Sequence, residues 1–325
     1  MTHPIAARPH AVGSDRPGSR LRSYARLGKL DVYDYYLSIV LVLSAVLLPT
    51  ARFAAADTGT LVVFLVGEIF VMMGLVAFDD LTGFLDGSDL VNYGPDNPRR
   101  RKSRKPLVAG ALSPREALAF AWVTTAIGGL VWAAALAIAP HRPLWTVVLI
   151  VALFAISPQY SYGVKISYHG FQEAFLVLLG GALVMAPYGL VTGEYSAFVL
   201  VQGVLFGFGP LMFGVYSNTN DVEGDRSVGR PTVAALVSPR GNALFIGCLS
   251  AAEFLLGALS SAVGIAPWWF VLVMLPATVW RLRQYLAGFR QGDIMLARKR
   301  GFTVHRLSVV LLIAANLMAG WGVAG

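Results

Sequence analysis

The chain has 325 residues, 56% hydrophobic and only 14% charged, with a mean hydropathy of +0.63, a balance that excludes an ordinary soluble domain and describes an integral membrane protein. One cysteine, Cys248, excludes an internal disulfide and a cysteine-built metal site, and the five histidines (His3, His10, His141, His169, His305) show no metal-ligand spacing. The net charge of +8 would suit nucleic acid in a soluble protein; in a membrane protein it reports sidedness, and no nucleic-acid partner is expected.

Residues 1–30 are rich in Arg, Pro, Ser and Gly and lack apolar periodicity, which predicts a disordered basic tail ending near Lys29. A cleaved signal peptide does not fit, because the first apolar run begins only near Tyr35 and outlasts an h-region; an Arg-rich, acid-poor transit peptide is the alternative. Residues 31–325 then form one all-α membrane domain. Its apolar runs fall at 33–53, 61–79, 116–138, 144–162, 171–192, 197–216, 241–263, 265–287 and 303–323, each near the ~20 residues that cross a bilayer. Gly180-Gly181, Pro187 and Gly207-Phe208-Gly209-Pro210 lie inside these runs, where small residues permit close packing. With the N-terminus cytoplasmic, every Lys and Arg except Arg52 and Arg142 falls on the cytoplasmic side or at the helix ends facing it. That bias places the C-terminus on the opposite side.

Run two ends in Ala77-Phe-Asp-Asp-Leu-Thr-Gly-Phe-Leu-Asp-Gly-Ser-Asp89. On a continuing helix Asp79 and Asp86 share one face, Asp80 points about 100° away, and Asp89 falls in the loop. The following loop holds Arg99–Lys102, expected to meet anionic membrane lipid, and then Arg104 and Lys105, better placed as substrate ligands. Tyr160, Tyr162 and Lys165 follow run four; the tyrosines are either site residues or part of an interfacial belt.

After run six comes Tyr216-Ser-Asn-Thr-Asn-Asp-Val-Glu-Gly-Asp-Arg-Ser-Val-Gly-Arg-Pro-Thr232. Asp221 and Asp225 lie one helical turn apart, about 40° in projection, and like charges so placed suit a cation. Oxygen-only ligands point to Mg2+, which bridges carboxylates to phosphates, while Arg226 and Arg230 can take phosphate oxygens as guanidinium forks. A solvated helix end with Asp/Arg pairs is the plainer alternative. Asn218 either joins the site or caps a helix, and Glu223 is solvated. Glu173 is a candidate acceptor ligand. Glu253, inside run seven, is a functional acid or an interhelical hydrogen bond. Arg281–Arg300 is expected to anchor the chain at the cytoplasmic face, and Trp268-Trp269 at the far one.

Two acidic clusters with basic neighbours at one membrane face describe a magnesium-diphosphate site, and together these motifs resemble the UbiA superfamily of intramembrane prenyltransferases. The matching segments are Asn220-Asp221-Val-Glu-Gly-Asp225-Arg-Ser-Val-Gly229-Arg-Pro-Thr232, Lys105-Pro-Leu-Val-Ala-Gly-Ala-Leu-Ser113 and Tyr160-Ser-Tyr-Gly-Val-Lys165, within about residues 33–320. Gly87-Ser88-Asp89, Gly170-Phe-Gln-Glu173 and Thr192-Gly193 are similar to the branch acting on 1,4-dihydroxy-2-naphthoate. The resemblance implies a nine-helix bundle with a cytoplasm-facing cavity, in a bacterial cell membrane. It further implies an isoprenyl diphosphate substrate, a lipophilic or aromatic acceptor, and two Mg2+ ions on Asp79, Asp80, Asp86, Asp221 and Asp225. Arg104, Lys105, Tyr160, Tyr162, Lys165, Asn218, Arg226 and Arg230 would bind substrate. The first motif departs from Asn-Asp-x-x-Asp: Asp79 stands for Asn and Gly83 for the last Asp. Asp86, or else Asp89, is expected to supply the missing carboxylate. Two alternatives stay open, an acceptor-free terpene cyclase of the same superfamily and a proton-relaying transporter.

Overall fold

A computed structural model describes residues 19–30, 34–49, 51, 54–94 and 100–322. The described residues are helical with no strand. Helix α1 (Arg20–Leu27) starts at Ser19, whose side chain accepts from the Arg22 amide. It buries Leu27 and stacks Tyr24 on Phe120 at 5.3 Å. The last dozen residues of the expected disordered tail are thus structured, since a short apolar face escapes a composition average; residues 1–18 lie outside the described residues.

The expected apolar runs coincide with α2 (Leu37–Val46), α3 (Ala55–Leu85), α5 (Pro114–Ile138), α6 (Leu144–Ile156), α7 (Gln172–Thr192), α8 (Ala197–Asn220), α11 (Pro239–Ala262), α12 (Phe270–Phe289) and α13 (Ile294–Gly320). Short helices α4 (Ser88–Asn92), α9 (Val222–Ser227) and α10 (Val233–Leu236) lie between them. Among the described residues six helices, α3, α5, α7, α8, α11 and α13, are long and apolar enough to cross a membrane. Helix α2 falls short because Pro49 cannot donate to a continuing turn. Helix α12 carries Arg281 and Arg283 inside its length.

Contacts between the helices follow from the need to satisfy polar groups away from water. Trp132 of α5 donates its Nε1 to the Phe64 carbonyl of α3 at 3.1 Å. Asn316 of α13 accepts from Gln202 of α8 at 2.7 Å and donates to Ser44 of α2 at 2.9 Å. Ser38 of α2 donates to the buried Glu68 of α3 at 2.9 Å. Glu253 of α11 receives Arg281 of α12 at 2.6 and 2.7 Å. Glu253 therefore makes the interhelical bond, and Arg281 is no surface anchor: it is 2% exposed, its third contact being Gln284 at 2.6 Å. Trp268 is exposed as an interfacial anchor requires, whereas Trp269 is buried in the core.

Helices α7 and α8 approach until their backbones touch. A Cβ added to Gly180 would stand 2.4 Å from the Gly207 Cα, a separation that only glycine permits. Gly180→Val should therefore lower the thermal midpoint of the purified protein, with a loss at or above the roughly 1–3 kcal/mol of core overpacking. Circular dichroism melts in detergent measure it, and an unchanged midpoint would contradict this α7–α8 contact.

Candidate active site

Helix α3 stops where Asp86 forms its C-cap and Gly87 adopts φ +90°, a left-handed conformation open to glycine. The chain reverses into α4, and Ser88 donates back to the Gly83 carbonyl at 3.3 Å. Helix α8 ends at Asn220, and Asp221 is the joint to α9, whose Asp225 amide bonds to the Asp221 carbonyl at 3.0 Å. Helices α4 and α9 pack where Gly224 leaves room for Asn92: a Cβ there would fall 2.3 Å from Asn92 Oδ1. The reversal of one chain segment and the joint of the other bring both acidic stretches to one cavity of about 600 Å3, within the range of small-ligand sites.

Ten Lys and Arg but only four carboxylates line this cavity, so it is built for an anion. Lys105 bridges two acids, 2.7 Å from Asp80 and 2.8 Å from Asp89. Lys29 lies 2.8 Å from the same Asp80 oxygen and 3.7 Å from Asp79. Asp79 accepts from Ser161 at 2.7 Å and faces Arg230 at 3.7 Å. On the opposite wall Arg100 pairs with Asp221, which Asn220 also holds at 2.9 Å. Asp225 accepts from Thr232 at 2.9 Å.

Burial lowers the Lys105 ammonium, but Asp80 and Asp89 outweigh it and hold its pKa well above the usual lysine value. Burial, with the Asp80 charge, outweighs Lys105 and pushes Asp89 up to about 6. Burial likewise pushes Asp225 up to about 6 against Arg230 and Thr232. Arg100 is raised: burial opposes its charge and Asp221 restores it.

Three buried nitrogens on the cavity lining find no acceptor: Arg100 Nε, Arg230 Nε and Asn218 Nδ2. Unpaired buried donors cost free energy, and an anion's oxygens that reached these side chains would satisfy them. Away from the charges, the lining is apolar and aromatic, with Leu75, Val76, Leu176, Tyr35, Tyr160 and the Phe213–Phe302 pair stacked at 4.2 Å.

Of the expected site residues, Asp79, Asp221, Asp225, Arg104, Lys105, Tyr160, Asn218 and Arg230 line the cavity. Asp80 sits behind it, 1% exposed, as the anchor of Lys105 and Lys29. Asp86 is turned away, because the helix ends at Leu85 and its carboxylate takes the Tyr168 hydroxyl and Ser88. Tyr162 stacks on Phe78 at 4.7 Å in the core. Lys165 lies over the Tyr168 ring at 5.2 Å, and the exposed Arg226 donates to the Ala235 carbonyl at 2.9 Å. Neither lines the cavity.

Conversely, Asp89, expected in a loop, lines the cavity from α4. Arg100 and Arg101 point inward rather than to lipid, Arg99 lying outside the described residues. Arg298 also belongs to the wall, donating to Ser217 at 2.5 Å. Lys29 and Gln172, with Arg26, Lys299 and Arg306, also line the cavity and were not found from spacing. Gln172, 4% exposed with Oε1 unpartnered, faces the cavity where its neighbour Glu173 does not.

Among the described residues no three Asp, Glu, His or Cys side chains form a ready metal cluster. The donors still fit a hard cation. Asp79 and Asp89 reach the cavity from α3 and α4, and Asp221 and Asp225 from the joint of α8 and α9, with Asp80 Oδ2 buried and without a donor. Magnesium takes one or two carboxylates, filling its other positions with water and phosphate oxygens.

A helical membrane protein whose bundle end encloses paired acids and a cationic, anion-seeking lining belongs to the class that handles charged head groups on apolar substrates. The chain belongs to the UbiA prenyltransferase family, whose model matches residues 38–303, and it is a prenyltransferase. Its fold is that of a UbiA homologue from Archaeoglobus fulgidus bound to DMAPP and Mg2+, at 17% identity and TM-score 0.62, covering 93% of this chain and 100% of that one. An apo UbiA homologue from Aeropyrum pernix K1 is similar at 17% and 0.61, over 91% and 98% of the two chains. A digeranylgeranylglyceryl phosphate synthase is similar at 12% and 0.58, over 94% and 99%. No curated protein sequence matches the chain.

The placement of Asp80 and Asp86 separates their effects. Asp86→Ala should leave turnover within about threefold, as for a residue whose partners are Tyr168 and Ser88. Asp80→Asn should cost roughly 100-fold or more, because it releases Lys105 and Lys29, the order expected on losing one pre-placed charge-stabilising donor. Diphosphate release from an allylic substrate measures both, and the reverse ranking would refute the assignment.

Proposed function

We propose that this enzyme transfers an isoprenyl group from an isoprenyl diphosphate to an aromatic, quinone-precursor-like acceptor, using Mg2+. The carrying observation is the cavity's set of buried, unpartnered donors, Arg100 Nε, Arg230 Nε and Asn218 Nδ2, among ten cationic side chains, which suits a diphosphate. The A. fulgidus homologue binds DMAPP and, in a second structure, GPP, each with Mg2+. Two ions fit best, one toward Asp79 and Asp89 and one toward Asp221 and Asp225. When bound, the metal supplies positive charge to the diphosphate oxygens.

The chain's own residues do the rest. Arg100, Lys105 and Arg230 hold the diphosphate while the bond from the allylic carbon to its oxygen breaks, the electron pair leaving with diphosphate. The carbocation lies against Tyr160, Phe213 and Phe302, whose ring faces stabilise it without capturing it. The acceptor's ring electrons form the new carbon–carbon bond, and the displaced ring proton leaves with diphosphate. Gln172 Oε1, buried and unpartnered, suits a phenolic hydroxyl. The Gly87-Ser88-Asp89 and Gly170–Glu173 segments favour 1,4-dihydroxy-2-naphthoate. The nine apolar runs and the distribution of basic residues favour nine spans with the N-terminus and the cavity mouth cytoplasmic, and the resemblance favours a bacterial cell membrane.

Purified protein given DMAPP, GPP or a longer isoprenyl diphosphate, with and without 1,4-dihydroxy-2-naphthoate, tests this by product mass spectrometry. A prenylated aromatic that requires acceptor and Mg2+ is expected, with diphosphate release abolished by EDTA. Cyclic hydrocarbon formed without acceptor would replace the proposal with a cyclase, and full activity in excess EDTA would remove the metal from it.

Asp221→Asn should keep the fold, since its partner Arg100 also bonds the Tyr93 hydroxyl at 3.3 Å. It should lose at least about 100-fold in turnover and most of the stabilisation conferred by Mg2+ with a non-hydrolysable prenyl diphosphate. A folded, fully active variant would remove the site.

A further inference from the structure

We infer that Tyr168 is a positioning residue of the reaction, its ring face holding the Arg230 guanidinium in place for the diphosphate. This rests on the magnesium-diphosphate reading above, in which Arg230 meets the substrate.

Arg230 reaches the cavity with little to aim it. Its backbone is fixed, since its amide donates to the Asp225 carbonyl and its carbonyl accepts from the Thr232 amide, each at 2.9 Å. Its side chain is not tied in the same way. Nε is buried without an acceptor, and the one acid within 4 Å among the described residues is Asp79, at 3.7 Å, too far for a hydrogen bond. What does meet the guanidinium is the Tyr168 ring, whose centroid lies 5.2 Å from its carbon. That is within cation–π reach, and a guanidinium held on a ring face keeps its N–H groups for phosphate oxygens.

The ring is anchored from another direction. Tyr168 sits in the short helical turn Ile166–His169, between Lys165 at φ +56° and Gly170 at φ +81°. Its amide donates to the Lys165 carbonyl at 2.8 Å, and its hydroxyl donates to Asp86 at the end of α3. The same loop is tied to α3 twice more. Thr82 donates to the Ser161 carbonyl at 2.8 Å and Ser161 to Asp79 at 2.7 Å, with the Ser161 and Ser167 hydroxyls 3.3 Å apart. Helix α3 thus holds the loop, the loop holds the ring, and the ring holds an arginine of the second acidic stretch. Tyr168 does not itself line the cavity, so it acts through Arg230 rather than on the substrate.

The test is a double-variant cycle on detergent-purified full-length protein at saturating Mg2+. Its readouts are the geranyl S-thiolodiphosphate concentration that gives half of the thermal shift, and kcat/KM for diphosphate release from geranyl diphosphate. Tyr168→Leu and Tyr168→Met remove the ring. Each should need about fivefold more thiolodiphosphate and lose about tenfold in kcat/KM, the order of a partly desolvated cation–π contact. Tyr168→Phe keeps the ring and should stay within about threefold of wild type in both; Asp86→Ala, which also leaves the ring, belongs with it. Arg230→Gln should lose more than any of these. Adding Tyr168→Leu to it should cost less than about twofold more, because the two changes remove one interaction.

Tyr168→Phe falling as far as Tyr168→Leu overturns the inference, since the hydroxyl on Asp86 would then be what matters. A folded aliphatic variant with wild-type binding and kcat/KM overturns it too, as does an additive loss in the double variant. Should both aliphatic variants fail to fold while Tyr168→Phe folds, the ring is a structural support and the inference falls. If Arg230→Gln is impaired and Tyr168→Leu is not, the proposed function stands without it. If the wild-type protein shows no shift with thiolodiphosphate and Mg2+, both fall.

Discussion

Lys105 between Asp80 and Asp89 is the contact on which the rest of the site depends. A buried ion pair is a poor source of stability, because desolvation offsets much of the attraction. Removing one partner is another matter, since the charge left behind has no water to return to. Here Asp80 is 1% exposed and serves two lysines with one oxygen. The network therefore fixes where Lys105 lies, and Arg100 pairs with Asp221 on the same cavity. It also keeps acids and cations apart from one another's full neutralisation, so that both remain available to a ligand carrying metal and phosphate.

Those pairings must loosen for a metal-bound anion to enter. A divalent ion held by these carboxylates would weaken the hold of Lys105 and Arg100 on them, and those side chains would be free to turn to the anion's oxygens. The two halves of the ligand thus exchange internal ion pairs for external ones with little net change in desolvation. Deeper in the bundle the requirement is the opposite. An allylic cation survives only where nucleophiles and water are scarce, and there the lining passes to Leu75, Val76, Leu176 and the Phe213–Phe302 stack. Pro210, on that lining, interrupts the α8 hydrogen-bond ladder beside Gly207, where α7 crosses close by. The membrane helices thus supply a dry chamber, and the helix ends supply its charged mouth.

The helices were legible because a bilayer imposes a length and a composition on each of them. The second acidic stretch was legible for a similar reason: Asp221 and Asp225 are one helical turn apart, and a turn is what the chain makes there. The first stretch misled. Extending α3 through Asp86 put that residue on the Asp79 face, but the helix ends one residue earlier and Gly87 reverses the chain. Gly at that position was the available signal, a left-handed C-terminal stop that outweighs the helical spacing before it. Tyr162, Lys165 and Arg226 failed differently, since being near a motif in sequence says nothing about which way a side chain turns. Arg100, Lys29 and Gln172 carry no local signature, because their roles exist only once separate segments meet.

That distinction bears on how a first motif can change without loss of the site. A cation requires oxygens at a place, and the backbone that delivers them is free to vary as long as the place is kept. At Gly83 the absence of a side chain leaves room for α4 to fold down on α3, and Asp89 of that helix lies beside it. The motif is better defined by the volume where its carboxylates converge than by the positions from which they start.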